Sequence, residues 1–325
     1  MLPTMAEIEA ARRQVALHAW RTPLVRLDPM RSRAFAGDAD VYLKLENLQP
    51  IGAFKIRGAA AVVGALAPGE AARGLVTASA GNMAQAVAHL ARELGVPCTV
   101  LVPEFAPETK VVANERLGAR VIRVTYEEWW EAFQKRCFPG VEGTFVHAFD
   151  DPQVMAGNAT IALEVLEELP DVDAIVTPWG GGGLTCGVAV AVRELRPHCR
   201  VVAAEVESAA PYAAAVAAGR PVEIDITPSF VDGIGSRSVF PQMFERAQGL
   251  GVESAVASVD DVAAALLLAA ERNHVIAEGA GACPVACAMA GRAGGGKVVC
   301  IVSGGNIDLD EVASLVATYG KRAEP

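Results

Sequence analysis

Lys55 stands where lysines seldom sit. It follows the turn residues Gly52 and Ala53 and the aromatic Phe54, and it opens an alanine-rich apolar stretch, Ile56 to Leu66. An ammonium drawn out of water loses part of its charge, and a partly neutral amine is what Schiff-base chemistry requires. The segment alone also fits a solvated lysine at a helix start. Three further loops hold residues able to do chemistry. Ser79-Ala80-Gly81-Asn82 joins small residues, which let a ligand near the backbone, to a helix start whose amides face an anion. An ordinary N-cap uses the same residue types. Pro178-Trp179 is followed by Gly180, Gly181, Gly182, Gly183 and Leu184. Four glycines in a row are costly in conformational entropy and make sense where several amides converge on one anion. This run lacks the Gly-Lys-Ser/Thr ending of a Walker loop, and Cys186 breaks the dinucleotide spacing G-x-G-x-x-G. Ser303-Gly304-Gly305-Asn306 sets a hydroxyl at a strand end with glycines behind it, which suits either a ring-binding site or a plain turn.

The elements that must position these loops alternate along the chain. β-branched apolar runs at 41–45, 75–77, 99–102, 120–124, 144–146, 174–177, 201–205, 255–258 and 298–302 read as strands. Alanine-rich helical stretches fill the gaps between them. Runs of Val, Ile and Leu without alternation mark strands covered on both faces, as in parallel sheets. The expected class is α/β, with two doubly wound, mostly parallel-sheet domains and a break near Gly140–Gly143. In such sheets ligands lie outside the carboxyl ends of strands, where all four loops fall.

Composition narrows the class further. The 325 residues are 52% hydrophobic and 20% charged, with net charge −10 and no basic cluster. That argues for a globular protein and against nucleic-acid or anionic-membrane partners. The first twenty residues read as an amphipathic helix rather than a secretory signal, and no stretch is long and apolar enough for a membrane span. Seven cysteines include no CxxC pair. Cys283 and Cys287 share a helix face without histidines nearby, so a buried reduced pair is expected there rather than a metal site. A cytoplasmic location fits.

A nucleophilic lysine, an anion loop, a phosphate loop and a strand-end hydroxyl together suit pyridoxal 5'-phosphate, whose aldehyde, phenolic oxygen, phosphate and ring nitrogen each need a partner. The motifs Lys44-Leu-Glu-Asn-Leu-Gln49, Gly52-Ala-Phe-Lys-Ile-Arg-Gly58, Ser79–Asn82, Gly180–Leu184 and Ser303–Asn306 occur in the order seen in the threonine/serine dehydratases. The chain resembles this family, fold-type II enzymes related to serine racemase and the tryptophan synthase β chain, from Arg21 to Asn306. The resemblance implies a large cofactor-binding domain at 1–46 and 144–325 and a small domain at 47–143. It makes Lys55 the Schiff-base lysine and the base that removes the substrate α-proton. It sets Phe54 beside the ring, Gly180–Leu184 at the phosphate, Asn82 at the phenolic oxygen and Ser303 at the ring nitrogen. Ser79, Ala80, Gly81 and Asn82 would receive the substrate carboxylate. The implied reaction is loss of water from L-threonine or L-serine, giving a 2-keto acid and ammonia, in a homodimer.

Departures from the family pattern bear on substrate and metal. Racemising members carry a serine where this chain has Ala80, so a serine racemase-like isomerase ranks below the dehydratase. Ala53 and Met83 replace polar residues and keep phenylserine or hydroxyaspartate open as alternative substrates. Some relatives bind a divalent cation through a glutamate, a carbonyl and an aspartate. Glu205 and Ala209 match the first two, but Pro211 stands near the third, so no metal is expected. Glu278 matches a segment beside the active site, or is an ordinary helix N-terminal acid. The chain runs only about twenty residues beyond Ser303, so neither a C-terminal regulatory domain nor feedback by isoleucine is expected.

Overall fold

The structure is a computed structural model and describes residues 1–27 and 39–320. Its strands are β1 (Leu24–Arg26), β2 (Ala39–Lys44), β3 (Leu75–Ala78), β4 (Cys98–Pro103), β5 (Arg120–Val124), β6 (Thr144–Phe145), β7 (Ala174–Pro178), β8 (Arg200–Val206), β9 (Glu253–Ala257) and β10 (Gly296–Ile301). Its helices are α1 (Met5–His18), α2 (Lys55–Gly64), α3 (Asn82–Leu94), α4 (Glu108–Arg116), α5 (Tyr126–Lys135), α6 (Pro152–Glu168), α7 (Gly183–Leu195), α8 (Pro211–Ala218), α9 (Pro241–Gly249), α10 (Val259–Asn273), α11 (Gly279–Met289) and α12 (Leu309–Tyr319).

Two sheets result. One has six strands in the order β1-β2-β10-β7-β8-β9, and the other has four in the order β5-β4-β3-β6. All pairings are parallel except β1 with β2. The nine strands expected from sequence are present. The antiparallel edge strand β1 was not expected: three residues beside Pro23 are too few to show a period. β7 and the core of β10 are buried along their length, as strands covered on both faces must be.

One boundary differs from the sequence reading, which placed residue 144 in the large unit. β6 pairs with β3 through Leu75↔Thr144 and Val76↔Phe145, so the four-stranded sheet extends past Phe145. The cause is local. Gly143 (φ +126°) runs so close to Gly74 that a Cβ would lie 2.6 Å from the Gly74 carbonyl oxygen. A side chain at 143 would hold β6 away from its neighbour.

The helix that carries Lys55 is wedged between α1, α3 and α6. Its backbone approaches α6 closely because Gly157 is small; a Cβ there would overlap the Arg57 carbonyl. Ile56, Ala59, Ala60, Val154, Met155 and Ile161 fill this contact and are fully buried. Each large apolar side chain removed from water contributes about 1.5–3 kcal/mol.

An ionic cluster lies beneath this apolar layer. Arg57 Nε donates to Glu46 at 2.7 Å and Arg57 Nη1 to Glu164 at 2.7 Å, while Lys44 Nζ pairs with Glu164 at 2.6 Å. Thr22 Oγ1 donates to the second Glu46 oxygen at 2.6 Å. Burial alone would raise the Glu46 carboxyl, but Arg57 outweighs it and holds the group below its usual range. The first turn of α2 is thus tied to β2 and α6 two residues beyond Lys55.

Candidate active site

Lys55 begins α2 because the chain ahead of it is pinned to the end of β10. Gly52 turns at φ +70°, Ala53 bridges Gly304, and the Phe54 amide donates to the Ser303 carbonyl at 2.9 Å. The turn therefore sets the lysine one residue from a backbone bond to Ser303. The Lys55 side chain is drawn inward: Nζ donates to the Ala148 carbonyl at 2.8 Å and lies 5.0 Å from the Phe54 ring centroid. Burial pushes its pKa down to about 8, against a smaller upward pull from Glu278. The solvated-lysine reading of this segment is thereby overturned.

The acceptor for Lys55 belongs to the loop after β6. Burial pushes the His147 imidazole down to about 3, so it is neutral, and its Nδ1 accepts from the amides of Phe149 and Asp150 at 3.2 and 2.8 Å. Asp150 is held in turn by Arg246 at 2.5 Å and Gln242 at 3.0 Å. Phe149 then packs on the glycine run, where a Cβ at Gly181 would overlap its ring and one at Gly183 would lie 2.7 Å from its carbonyl oxygen. His147, Ala148 and Phe149 escaped the sequence reading, although they follow a strand's carboxyl end as the other loops do.

Gly180–Gly183 lead from β7 into α7, with Gly182 at φ +86°. The Thr177 and Thr185 hydroxyls meet at 2.8 Å across the base of this loop and tie the strand to the helix. No side chain caps the α7 N-terminus, so its first amides stay available to an anion. A Cβ at Gly182 would press within 2.7 Å of the buried Trp179 ring. The glycines are thus needed for packing on one side and leave bare amides on the other.

Asn82 begins α3, whose N-cap, Gly81, likewise offers no side-chain cap. The Gly81 amide donates to Ser79 Oγ at 3.2 Å, and the Ala80 carbonyl accepts from Asn114 at 3.3 Å. The Asn82 carboxamide spans two partners. Its Nδ2 donates to Glu278 Oε1 at 2.9 Å, and its Oδ1 accepts from Asn306 Nδ2 at 2.8 Å. Glu278 is N-cap of α11 yet makes no capping bond, because its side chain turns to Asn82. Burial pushes this carboxyl up to about 7. Ser303 is buried at the end of β10.

These residues fit pyridoxal phosphate. Lys55 is a partly buried amine of lowered pKa, the glycine run and the α7 N-terminus form a cradle that side chains would fill, and Asn82 keeps one N–H unspent. Ser303 has a neutral hydroxyl, the donor type expected at the ring nitrogen. Glu205, placed at a metal position by resemblance, instead accepts from the Tyr212 and Ala213 amides at 2.8 and 2.7 Å and caps α8.

Known proteins resemble this chain in sequence and fold. The family model described as pyridoxal-phosphate dependent enzyme matches residues 15–304. An L-threonine ammonia-lyase of Geobacter sulfurreducens is 42% identical over 85% of this chain and 69% of its own. One of Thermotoga maritima is 37% identical over 96% of this chain and 78% of its own. Among solved structures, maize serine racemase superposes with a TM-score of 0.88 at 28% identity, covering 99% of both chains. This chain belongs to the pyridoxal-phosphate dependent enzymes of that family.

Proposed function

We propose that the protein is an ammonia-lyase that converts L-threonine or L-serine to a 2-keto acid and ammonia. The observation that carries this reading is the partly buried Lys55 amine, held on the Ala148 carbonyl with its pKa lowered to about 8. Bound pyridoxal phosphate supplies an electron sink that makes the substrate α-proton acidic. In this reading Lys55 would hold the cofactor through its amine and would take the substrate α-proton. The amides of Gly180–Gly183 and Leu184 bind the phosphate, Phe54 packs by the ring and Asn82 donates to the phenolic oxygen. Ser303 offers the ring nitrogen a neutral partner, which keeps the sink weak and suits departure of hydroxide together with the α-proton. Ser79, Ala80, Gly81 and Asn82 hold the carboxylate at the start of α3. Ala80 has no acid or base for the opposite face, which disfavours racemisation.

The names of the Geobacter and Thermotoga relatives favour threonine, while Ala53 and Met83 keep phenylserine and hydroxyaspartate in view. The six-stranded unit would be the cofactor-binding domain and the four-stranded one the small domain. A cytoplasmic homodimer, acting on a free amino acid, completes the proposal. A panel of threonine, serine, phenylserine and hydroxyaspartate, read as 2-keto acid and ammonia, tests it. Release of keto acid from threonine or serine is expected. Racemised amino acid without keto acid would overturn it.

A further inference from the structure

We propose that Asn306 and Glu278 are positioning residues that lock the Asn82 carboxamide with its nitrogen toward the ligand. This inference rests on the reading of Asn82 as the donor to the cofactor's phenolic oxygen. An asparagine amide can sit in two orientations that differ only by exchange of O and N, and its partners decide between them.

Both partners of Asn82 vote the same way. Asn306 Nδ2 donates to the Ile51 carbonyl at 2.9 Å and to Asn82 Oδ1 at 2.8 Å, so both of its N–H bonds are spent. The backbone carbonyl cannot turn into a donor, so the Asn306 amide is fixed and its nitrogen demands an oxygen from Asn82. On the other side Glu278, while ionised, only accepts, and it demands the nitrogen. One of the two Asn82 N–H bonds goes to Glu278, which leaves the other for the ligand.

The backbone is built to let this chain of side chains form. A Cβ at Gly52 would lie 2.5 Å from Asn306 Oδ1, and one at Gly304 would overlap Glu278 Oε1 and lie 3.2 Å from Asn82 Nδ2. The Gly305 amide donates to the Gly52 carbonyl and the Glu278 amide to the Gly304 carbonyl, each at 2.9 Å. The glycines flanking Ser303 and Lys55 thus serve a carboxamide relay as well as the turns themselves. Asn306 reaches the relay from the solvent-exposed rim, whereas Glu278 is buried.

The test inverts the relay. Asn306→Asp replaces the donor by an acceptor, and Glu278→Gln supplies a group that can donate. The double variant therefore satisfies every partner of Asn82 with the amide turned over. Its apoprotein should stay folded and melt somewhat below the wild-type temperature, because the Ile51 carbonyl loses its donor. Its affinity for pyridoxal phosphate, measured by fluorescence titration, should fall about 10- to 100-fold, since an oxygen now faces the phenolic oxygen. The absorption spectrum of the bound cofactor should shift as well. Asn306→Asp alone, on the exposed rim, should show the same direction of change. Wild-type affinity and spectrum in the double variant would overturn the proposal while leaving the functional reading intact. Wild-type protein that takes up no cofactor would instead overturn the functional reading, and this inference with it.

Discussion

Lys55 is burdened by its own position. Its ammonium titrates near 8 when folded and near 10.5 when exposed, so between these values the unfolded chain holds more protons. Apoprotein stability therefore rises with pH across that window, and below it the full cost of about 3 kcal/mol applies. Lys55→Met should raise the stability of the apoprotein at neutral pH by up to that amount, with the gain shrinking as pH climbs from 8 to 10.5. The same variant should lose at least about 10³-fold in kcat/KM and no longer be fixed to the cofactor by borohydride. Urea titrations of wild type and variant at several pH values decide the first claim; an apoprotein weakened by the substitution would contradict it. Ala80 permits a complementary experiment. Ala80→Ser adds a hydroxyl on the carboxylate loop, and it should create D-amino acid detectable by chiral chromatography where wild type makes none. As candidates, Asn82, Ser303 and the glycine run stood out in sequence because each follows a strand end, and Lys55 because it opens an apolar helix behind a glycine turn. Ala148 did not, since its contribution is a carbonyl that every residue possesses.

Each candidate side chain is held by the element behind it, and α2 shows how. Arg57 is buried with Glu46 and Glu164 as its carboxylate partners, so Glu46→Ala strands half of its charge in the interior. Such a loss costs about 3–5 kcal/mol. The effect should reach the site, because Arg57 and Lys55 share one helical turn: denaturation should show the lost stability and fluorescence titration a weaker affinity for the cofactor. Full stability in Glu46→Ala would mean that Glu164 suffices alone. The sign with pH is also set. Glu46 titrates below its unfolded value of 4.5, so its stabilisation is present above that value and lost as acid takes the pH down through the folded one. Periodicity revealed the strands and helices, including the start of α3 at Asn82, but not the pairing of β6 with β3 or the edge strand β1. Pairing depends on where Gly143 and Gly74 meet, 69 residues apart in number, and no local pattern encodes that contact.

Polar links join the units that carry the two sheets. Lys110 on α4 pairs with Asp232 at 2.7 Å, and Asn82 on α3 reaches Glu278 on the other unit. With much of both side chains in water, the Lys110–Asp232 pair contributes little to stability and weakens with salt, so apolar packing of α2, α6 and α7 must hold the whole together. None of the helices in the described residues is long and apolar enough to cross a membrane. The cysteines report on how tightly the molecule is packed. All seven are free, six are buried, and Cys137 alone is exposed after the end of α5. Burial pushes the thiols of Cys98 and Cys186 up to about 12, that of Cys199 to about 11 and that of Cys300 well above normal, while a hydrogen bond with Cys287, aided by burial, raises Cys283. A protonated, enclosed thiol does not attack a disulfide reagent. Ellman's reagent should therefore titrate one thiol per native chain, at Cys137, and all seven once the chain is denatured. Cys137→Ser should abolish the fast phase and leave activity unchanged. Two or more fast thiols in the native protein would mean that the helical layers around β7 and β10 open far more readily than their burial implies.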